Sequence, residues 1–305
     1  SDWSSDVCSS DLWLVANLAA QRVAFVTHVG DIVEDDREPE WEVAARLLGP
    51  LHGRVPYSLC VGNHDMDPDG TATLFQRFFP AARFRELPWY AGSFEPGRPR
   101  QVSGNNVNSC QLFSAGGLDF VHLSLECNAP DDVLAWAGEQ LRRHSGRLAL
   151  ISTHMDLGVI DKPAGPGREG YSRDPQGRMR WVKRHGARGN TAEQMLAKLY
   201  RHHVNLRFVF SGDQSNVTAL HLPSVGDYGN TVHHCLSDYG SLGPLRLYRF
   251  HPAANRVEAI TYDPVKAELV RSTHYKPGAA SHQFELAVDL RAPVGRSEER
   301  RVGKE

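Results

Sequence analysis

Two apolar runs in this chain end in polar clusters that packing alone would not call for. Val23 to Val29 runs into Gly30-Asp31-Ile32-Val33-Glu34-Asp35, and Val55 to Cys60 runs into Val61-Gly62-Asn63-His64-Asp65. Between them, Pro39-Glu40-Trp41-Glu42 opens a helix with Pro and acids in its first turn, and Gly49-Pro50 ends it. Strand, helix, strand predicts a parallel βαβ unit. Both clusters then fall at the carboxyl ends of neighbouring strands, where α/β sheets bind ligands. The residue types suit that position. Asn offers a neutral oxygen to a hard cation, His acts as ligand or general acid, and Asp binds a cation or orients a His. Taken singly, Asp31 reads as a turn residue and His64 as a solvated loop His; their order and context carry the chemistry.

The remaining chain continues the alternation. Trp13 to Ala20 reads as a helix and Thr71 to Phe79 as a short one, while Pro80 to Asn106, rich in Pro, Gly and Arg, reads as an irregular surface loop. Asn108 to Ser114 and Leu118 to Leu125 flank Ala115-Gly116-Gly117, a hairpin signal. Asp131 to His144 reads as an amphipathic helix capped by Asp131 or Asp132, and Leu148 to Thr153 as a buried strand that delivers His154. Leu157 to Asn190 is long, Gly-rich and basic, with Lys162, Arg168, Arg173, Arg178, Arg180, Lys183, Arg184 and Arg188 outnumbering its acids. It is either a loop over the site that receives a phosphate or a solvated excursion. Thr191 to His203 reads as a Thr-capped helix, and Leu206 to Phe210 as a strand leading into Ser211-Gly212-Asp213-Gln214-Ser215. Residues 229–233, 236–239, 245–250, 257–262 and 282–290 supply the C-terminal strands, with His233 and His234 on alternate faces.

Taken together, GDxxE and GNHD in this order, each after a strand, resemble two signature motifs of the calcineurin-like metallophosphoesterases, and Thr153-His154 resembles the family's single-His motif. The proline often found two residues after that His is Asp156 here, and the family's Gly-His-x-His reads Gly-Asp-x-Ser at residues 212–215. The resemblance runs over nearly the whole chain. It implies an α/β fold, a two-sheet β-sandwich flanked by helices. It also implies a centre of two divalent cations (Mn²⁺, Fe²⁺/Fe³⁺, Zn²⁺ or Mg²⁺) at which an activated water attacks phosphorus in line. By motif, Asp31 bridges the cations, Asn63, His154 and Asp213 bind the second one, and His64, oriented by Asp65, protonates the leaving oxygen. Ser215, standing where a second His belongs, is a poor ligand. The family's first motif, D-x-H or D-x-Q, is expected on a strand before Trp13 and is not in this chain. This implies a truncated form holding one cation, of impaired activity. The alternative is a degenerate, non-catalytic member that uses the fold as a binding module.

Composition bounds the partners. The first twelve residues, SDWSSDVCSSDL, and the last ten, RSEERRVGKE, resemble translated sequencing adapters, which leaves residues 13–295 as a single domain. The end segments account for the whole formal charge of −2, so residues 13–295 are neutral and no global charge argues for nucleic acid or a membrane surface. No basic stripe or aromatic platform favours a nuclease, and no apolar run is long enough to span a bilayer. The family resemblance then implies a small phosphate ester as substrate. Localisation and oligomeric state are left open. Cys60, Cys110, Cys127 and Cys235 are widely spaced beside apolar runs and read as buried thiols. Deleting residues 1–12 and 296–305 should leave the melting temperature nearly unchanged in a thermal scan, since segments unrelated to the fold have no evolved core contacts. A drop of many degrees would mark them as native elements.

Overall fold

A computed structural model describes residues 10, 12–97, 99–159, 169–171, 184–214, 218–240 and 243–291. Its first unit is the expected βαβ. Helix α1 (12–17) precedes β1 (Val26–His28), α2 (Glu38–Leu48) follows, and β2 (Tyr57–Leu59) pairs parallel with β1, Thr27 opposite Ser58. Pro39 and two glutamates occupy the first turn of α2, which suits the positive end of the helix dipole. Its buried residues, Trp41, Ala44 and Leu48, recur at helical spacing on one face. They meet Phe75 and Phe79 around α3 (Thr73–Phe78), with Trp41 and Phe75 centroids 6.0 Å apart in an edge-on contact.

The centre of the molecule is a seven-stranded mixed sheet ordered β10-β11-β9-β6-β5-β4-β3. Its strands are β3 (Tyr90–Ser93), β4 (Ser109–Ala115), β5 (Leu118–Ser124), β6 (Leu148–Ser152), β9 (Leu206–Ser211), β10 (Ala219–Val225) and β11 (Thr231–Ser237). The β5–β6, β6–β9 and β9–β11 pairs are parallel and the outer pairs antiparallel. The hairpin turn between β4 and β5 is Gly116-Gly117, both at positive φ (59° and 79°), the conformation a two-residue turn demands and glycine supplies.

Alternation along the parallel strands sends Val121, Leu123, Ala149, Ile151 and Val209 to one face and Phe120, Leu148, Leu150, Phe208 and Phe210 to the other. The first face is covered by α5 (Asp131–Arg143) and α6 (Ala192–Lys198). The second packs on a four-stranded sheet of β12 (Leu245–His251), β13 (Arg256–Asp263), β14 (Glu268–Leu269) and β15 (Gln283–Ala287), through Tyr248, Phe250, Val257 and Leu286. The β1–β2 pair lies over this same face. Phe25 stacks on Phe113 at 4.6 Å, Thr27 Oγ1 donates to Ser152 Oγ at 2.8 Å, and Ser124 Oγ donates to Leu59 O at 3.0 Å. The expected two-layer sandwich flanked by helices is thus the observed architecture.

Several expectations need correction. Residues 80–106 are not an irregular loop: α4 (Ala81–Phe84) and edge strand β3 lie there, held by an aromatic cluster in which Phe84 and Tyr57 centroids are 5.4 Å apart. Strand β10 lies in a stretch where no element was expected; it contains Pro223, which a strand at a sheet edge tolerates. Neither Asp131 nor Asp132 caps α5; Pro130 stands at the N-cap without a side-chain bond, and the two acids sit in the first turn. The Thr191 cap is present, and its capping box closes on Gln194. The four cysteines at 60, 110, 127 and 235 are buried free thiols. Most of the basic segment between Leu157 and Asn190 lies outside the described residues, apart from the hairpin β7 (Leu157–Val159) and β8 (Glu169–Tyr171) and residues 184–190. Ser10 is buried and donates to Gly243 O, so a deletion of residues 1–12 has at least one contact to lose.

Ile151 sits at the middle of β6 and is fully buried beneath the helices. Ile151→Ala should lower unfolding free energy by about 2–5 kcal/mol in urea titration. A loss under about 1 kcal/mol would show that this face is not close-packed.

Candidate metal centre

Two pairs of parallel strands, β1–β2 and β6–β9, deliver their polar ends to one point. Asp31 follows β1, Asn63 follows β2, His154 follows β6 and Asp213 follows β9. His154 is the hub, with its side chain only 2% exposed. Its Nε2 lies 3.1 Å from Asn63 Oδ1, 3.2 Å from Asp31 Oδ2 and 3.4 Å from Asp213 Oδ1. Its Nδ1 donates to the Val29 carbonyl at 2.8 Å, which fixes the tautomer of a neutral ring. In that tautomer Nε2 carries a lone pair, and it faces three oxygens that also present lone pairs. A proton on Nε2 or a metal ion among them satisfies this arrangement. A proton answers it in the free protein: burial opposes charging the ring, but Asp31 and Asp213 outweigh burial and hold the His154 pKa well above its usual value.

A metal ion answers the same demand with more ligands. Among the described residues, Asp31, His154 and Asp213 form a group whose ligand atoms all lie within 4.8 Å of one another. Three oxygens and one nitrogen are the donors of a hard or borderline divalent cation. The residues present therefore fit one divalent cation of the kind the resemblance implies. Burial alone would raise Asp31, yet the His154 charge and hydrogen bond and the His64 N–H bring its carboxyl down to about 2, so it is ionised and ready to bind.

The backbone is shaped around this point. Asp31 and Asp213 both adopt left-handed conformations, φ 52° and 67°, which Asp tolerates better than most residues and which recur at functional sites. Gly62 permits the approach of the two motif loops: a Cβ there would lie 2.2 Å from Asp31 N and 2.3 Å from its Oδ1. Gly30 is constrained likewise, since a Cβ would stand 2.4 Å from His154 Nδ1.

The second motif divides into three roles. Asn63 turns its side-chain oxygen to His154. His64 is exposed, its N–H donates to Asp31 Oδ1 at 2.9 Å, and its ring Nδ1 donates to the Glu34 carbonyl at 2.5 Å. That leaves Nε2 as the ring nitrogen not engaged by Glu34. Burial would lower the His64 pKa, but the Glu34 carbonyl and the Asp31 charge raise it on balance. Asp65 does not orient His64 as expected. It is fully buried and accepts from Gly62 N at 2.7 Å, Ile32 N at 2.8 Å and Val33 N at 3.1 Å, clamping both motif loops. Burial and the Asp31 charge push its carboxyl up to about 7, against those donors, which favour the ionised form.

Of the remaining candidates, Ser215 lies outside the described residues. His234 is turned away from the ligand group and paired with buried Asp156 at 2.7 Å, and His233 meets His221 at 3.0 Å. Three neighbours were not singled out from the sequence. His28, at the end of β1, accepts from Gly30 N at 3.2 Å, and burial with the nearby His154 charge lowers it to about 4. Asp238 follows β11, and its charge acts on Asp31, Asp213 and His154 while burial raises its own pKa. A fourth strand parallel to β9 would have revealed it. Arg184 donates through Nε to Asn63 O at 3.0 Å and also through Nη2, and nothing in the basic run distinguishes it by sequence.

A family profile described as calcineurin-like phosphoesterase matches residues 8–215. Over 300 residues the chain is 25% identical to the Uncharacterized protein YvnB of Bacillus subtilis (strain 168), covering 94% of this chain and 20% of that protein. It is 27% identical to Purple acid phosphatase 23 of Arabidopsis thaliana over 113 residues, 36% of this chain and 22% of the plant protein. The chain thus spans about a fifth of the length of these curated relatives. With a profile match over more than half its length, and with Asp, Asn and His gathered at the ends of parallel strands, this chain belongs to the calcineurin-like phosphoesterase family.

Proposed function

We propose that the protein is a metal-dependent phosphoesterase that hydrolyses phosphomonoester or phosphodiester bonds at the centre built on Asp31, Asn63, His154 and Asp213. The observation that carries this reading is the convergence of Asn63 Oδ1, Asp31 Oδ2 and Asp213 Oδ1 within 3.1–3.4 Å of His154 Nε2, an arrangement that suits a cation. The plant relative's name, a phosphatase, agrees with it. A divalent cation, when bound, supplies Lewis-acid polarisation of a phosphoryl oxygen and lowers the pKa of water to near neutrality.

The chain's own groups supply the rest. Asp31 and Asp213 offer the oxygen ligands, and the Val29 carbonyl holds His154 in the tautomer that presents Nε2. His64, exposed and tethered through Nδ1 to Glu34 O, has Nε2 as its other ring nitrogen, from which a protonated ring can hand its proton to a leaving alkoxide. Asp65 positions both loops rather than touching substrate. A non-catalytic member of the family is the second reading, favoured by Asp213 in the place of a His.

Metal titration separates the two. Asp213→Asn keeps shape and one oxygen but removes a charge, so Mn²⁺ affinity by calorimetry should fall about tenfold or more, equivalent to ~1.4 kcal/mol. Asp213→His should retain a metal and shift preference toward Zn²⁺. Unchanged binding of both metals by Asp213→Asn would reduce Asp213 to a turn residue and favour the non-catalytic module.

Leaving-group dependence examines His64. His64→Ala should lower kcat by about 10²–10⁴ for an alkyl phosphate, whose leaving oxygen needs a proton, and far less for 4-nitrophenyl phosphate. Equal losses on both substrates would remove His64 from the role of proton donor.

A further inference from the structure

Arg184 stands out among the cations near the centre. It is half-buried, and its guanidinium bonds the backbone oxygen of Asn63, whose side-chain oxygen lies 3.1 Å from His154 Nε2. A carbonyl satisfies two of its N–H groups without neutralising the charge. Among the described residues no carboxylate lies within ion-pair distance of it, and its Nη1 has no hydrogen-bond partner. A guanidinium is built to meet two oxygens of a carboxylate or phosphate in its plane. Here it is left with donors and charge to spare, beside a cluster of cation ligands. Its charge is felt at the buried Cys127 thiol, where Asp213 and Asp31 also act.

The next residue pins it. His185 has a fully buried side chain, its Nε2 3.1 Å from Glu126 Oε2, and its ring fills the space a side chain at residue 70 would need. A Cβ at Gly70 would fall 2.0 Å from the ring, and Gly70 itself has φ 91°. Glu126 is fixed in turn by Asn108, which donates to its Oε1 and accepts from its N–H, both at 2.8 Å. Further along, Asn128 and Asn190 exchange hydrogen bonds, Asn190 N to Asn128 O at 3.2 Å and Asn128 Nδ2 to Asn190 O at 3.0 Å. The chain that carries Arg184 is therefore anchored to the loop after β5, and a ligand does not have to order it.

Charge decides what such a residue is for. Asp31 and Asp213 together cancel one divalent cation, so a dianion approaching the centre meets little net attraction. A phosphomonoester is close to a dianion at neutral pH, having a second pKa near 6, whereas a diester carries one charge. We propose that Arg184 is the phosphoryl-binding residue of the centre and tunes it to dianionic phosphomonoesters over diesters. This rests on the phosphoesterase reading above.

The test uses the full chain with Mn²⁺ and two probes, inorganic phosphate and dimethyl phosphate, titrated by calorimetry into wild type, Arg184→Gln and Arg184→Lys. Arg184→Gln should bind phosphate about 10- to 100-fold more weakly, and dimethyl phosphate less than about threefold more weakly. Arg184→Lys should recover part of the loss by restoring the charge without the fork, and Mn²⁺ affinity should stay within about threefold in both variants. Wild-type phosphate affinity in Arg184→Gln, equal weakening of both probes, or a matching loss of Mn²⁺ would each overturn the assignment; the last would make Arg184 a prop for Asn63. If wild type takes up no Mn²⁺, the metal-centre reading fails on its own. The phosphate titration is then read on the metal-free chain, where a difference between wild type and Arg184→Gln sustains the proposal and none rejects it.

Discussion

The Asp65 carboxylate holds the centre together from beneath. Its two oxygens take N–H groups from Gly62, Ile32 and Val33, joining loops that leave two different strands. Remove the carboxylate and three buried donors lose their acceptor, at about 1–3 kcal/mol for each unsatisfied group. More than stability depends on it. The clamp brings His64 N within 2.9 Å of Asp31 Oδ1, and it needs a glycine at residue 62 because any side chain would strike Asp31. Asp31 is in turn held at the distance from His154 that lets both meet one cation. A buried charge tied by backbone donors specifies a single arrangement of the loops, which a packed apolar residue would not do.

How much of this was legible in the sequence follows from what kind of signal each part leaves. Asp31, Asn63, His154 and Asp213 were legible because each follows an apolar run, and a polar residue at the end of a buried parallel strand stands out against its surroundings. The role of Asp65 was not, because hydrogen bonds to backbone N–H groups of a distant loop leave no trace in residue type or spacing. The same holds for His154: that its Nδ1 is occupied by Val29 O, which leaves Nε2 to face the carboxylates, is tertiary information. Edge strands β3 and β10 lie where no strand was expected. Both carry residues that disfavour a strand, Gly92 at a bulge and Pro223, and a position at the sheet edge makes these tolerable.

Arg184 shows the limit of composition most clearly. In the sequence it is one of eight basic residues between Leu157 and Asn190, and nothing separates it from the others. What sets it apart is its neighbour. His185 is buried against Gly70 and Glu126, so one of the two adjacent residues is anchored inside while the other is directed to the peptide of Asn63. A basic run supplies charge, and burial of one member decides which charge is held in place.

The strain in the centre and its charge point the same way. Asp31 and Asp213 both occupy the left-handed region, each directly after a glycine, at a cost of order 1–3 kcal/mol for a non-glycine residue. They are two carboxylates converging on one buried imidazole, with the Asp238 charge acting on them as well. Mutual repulsion among such groups opposes folding, and a proton on His154 offsets only one unit of it. A divalent cation relieves more, because it binds the folded arrangement and has no comparable site in the unfolded chain. By linkage the folded state then gains RT ln(1 + [M]/Kd), about 2.7 kcal/mol at a hundredfold excess over Kd. The geometry that makes this point unfavourable as bare protein is the geometry that suits it to a cation. Asp65 supplies the rigidity that keeps the carboxylates from relaxing apart, and so the clamp beneath and the ligands above act as one device.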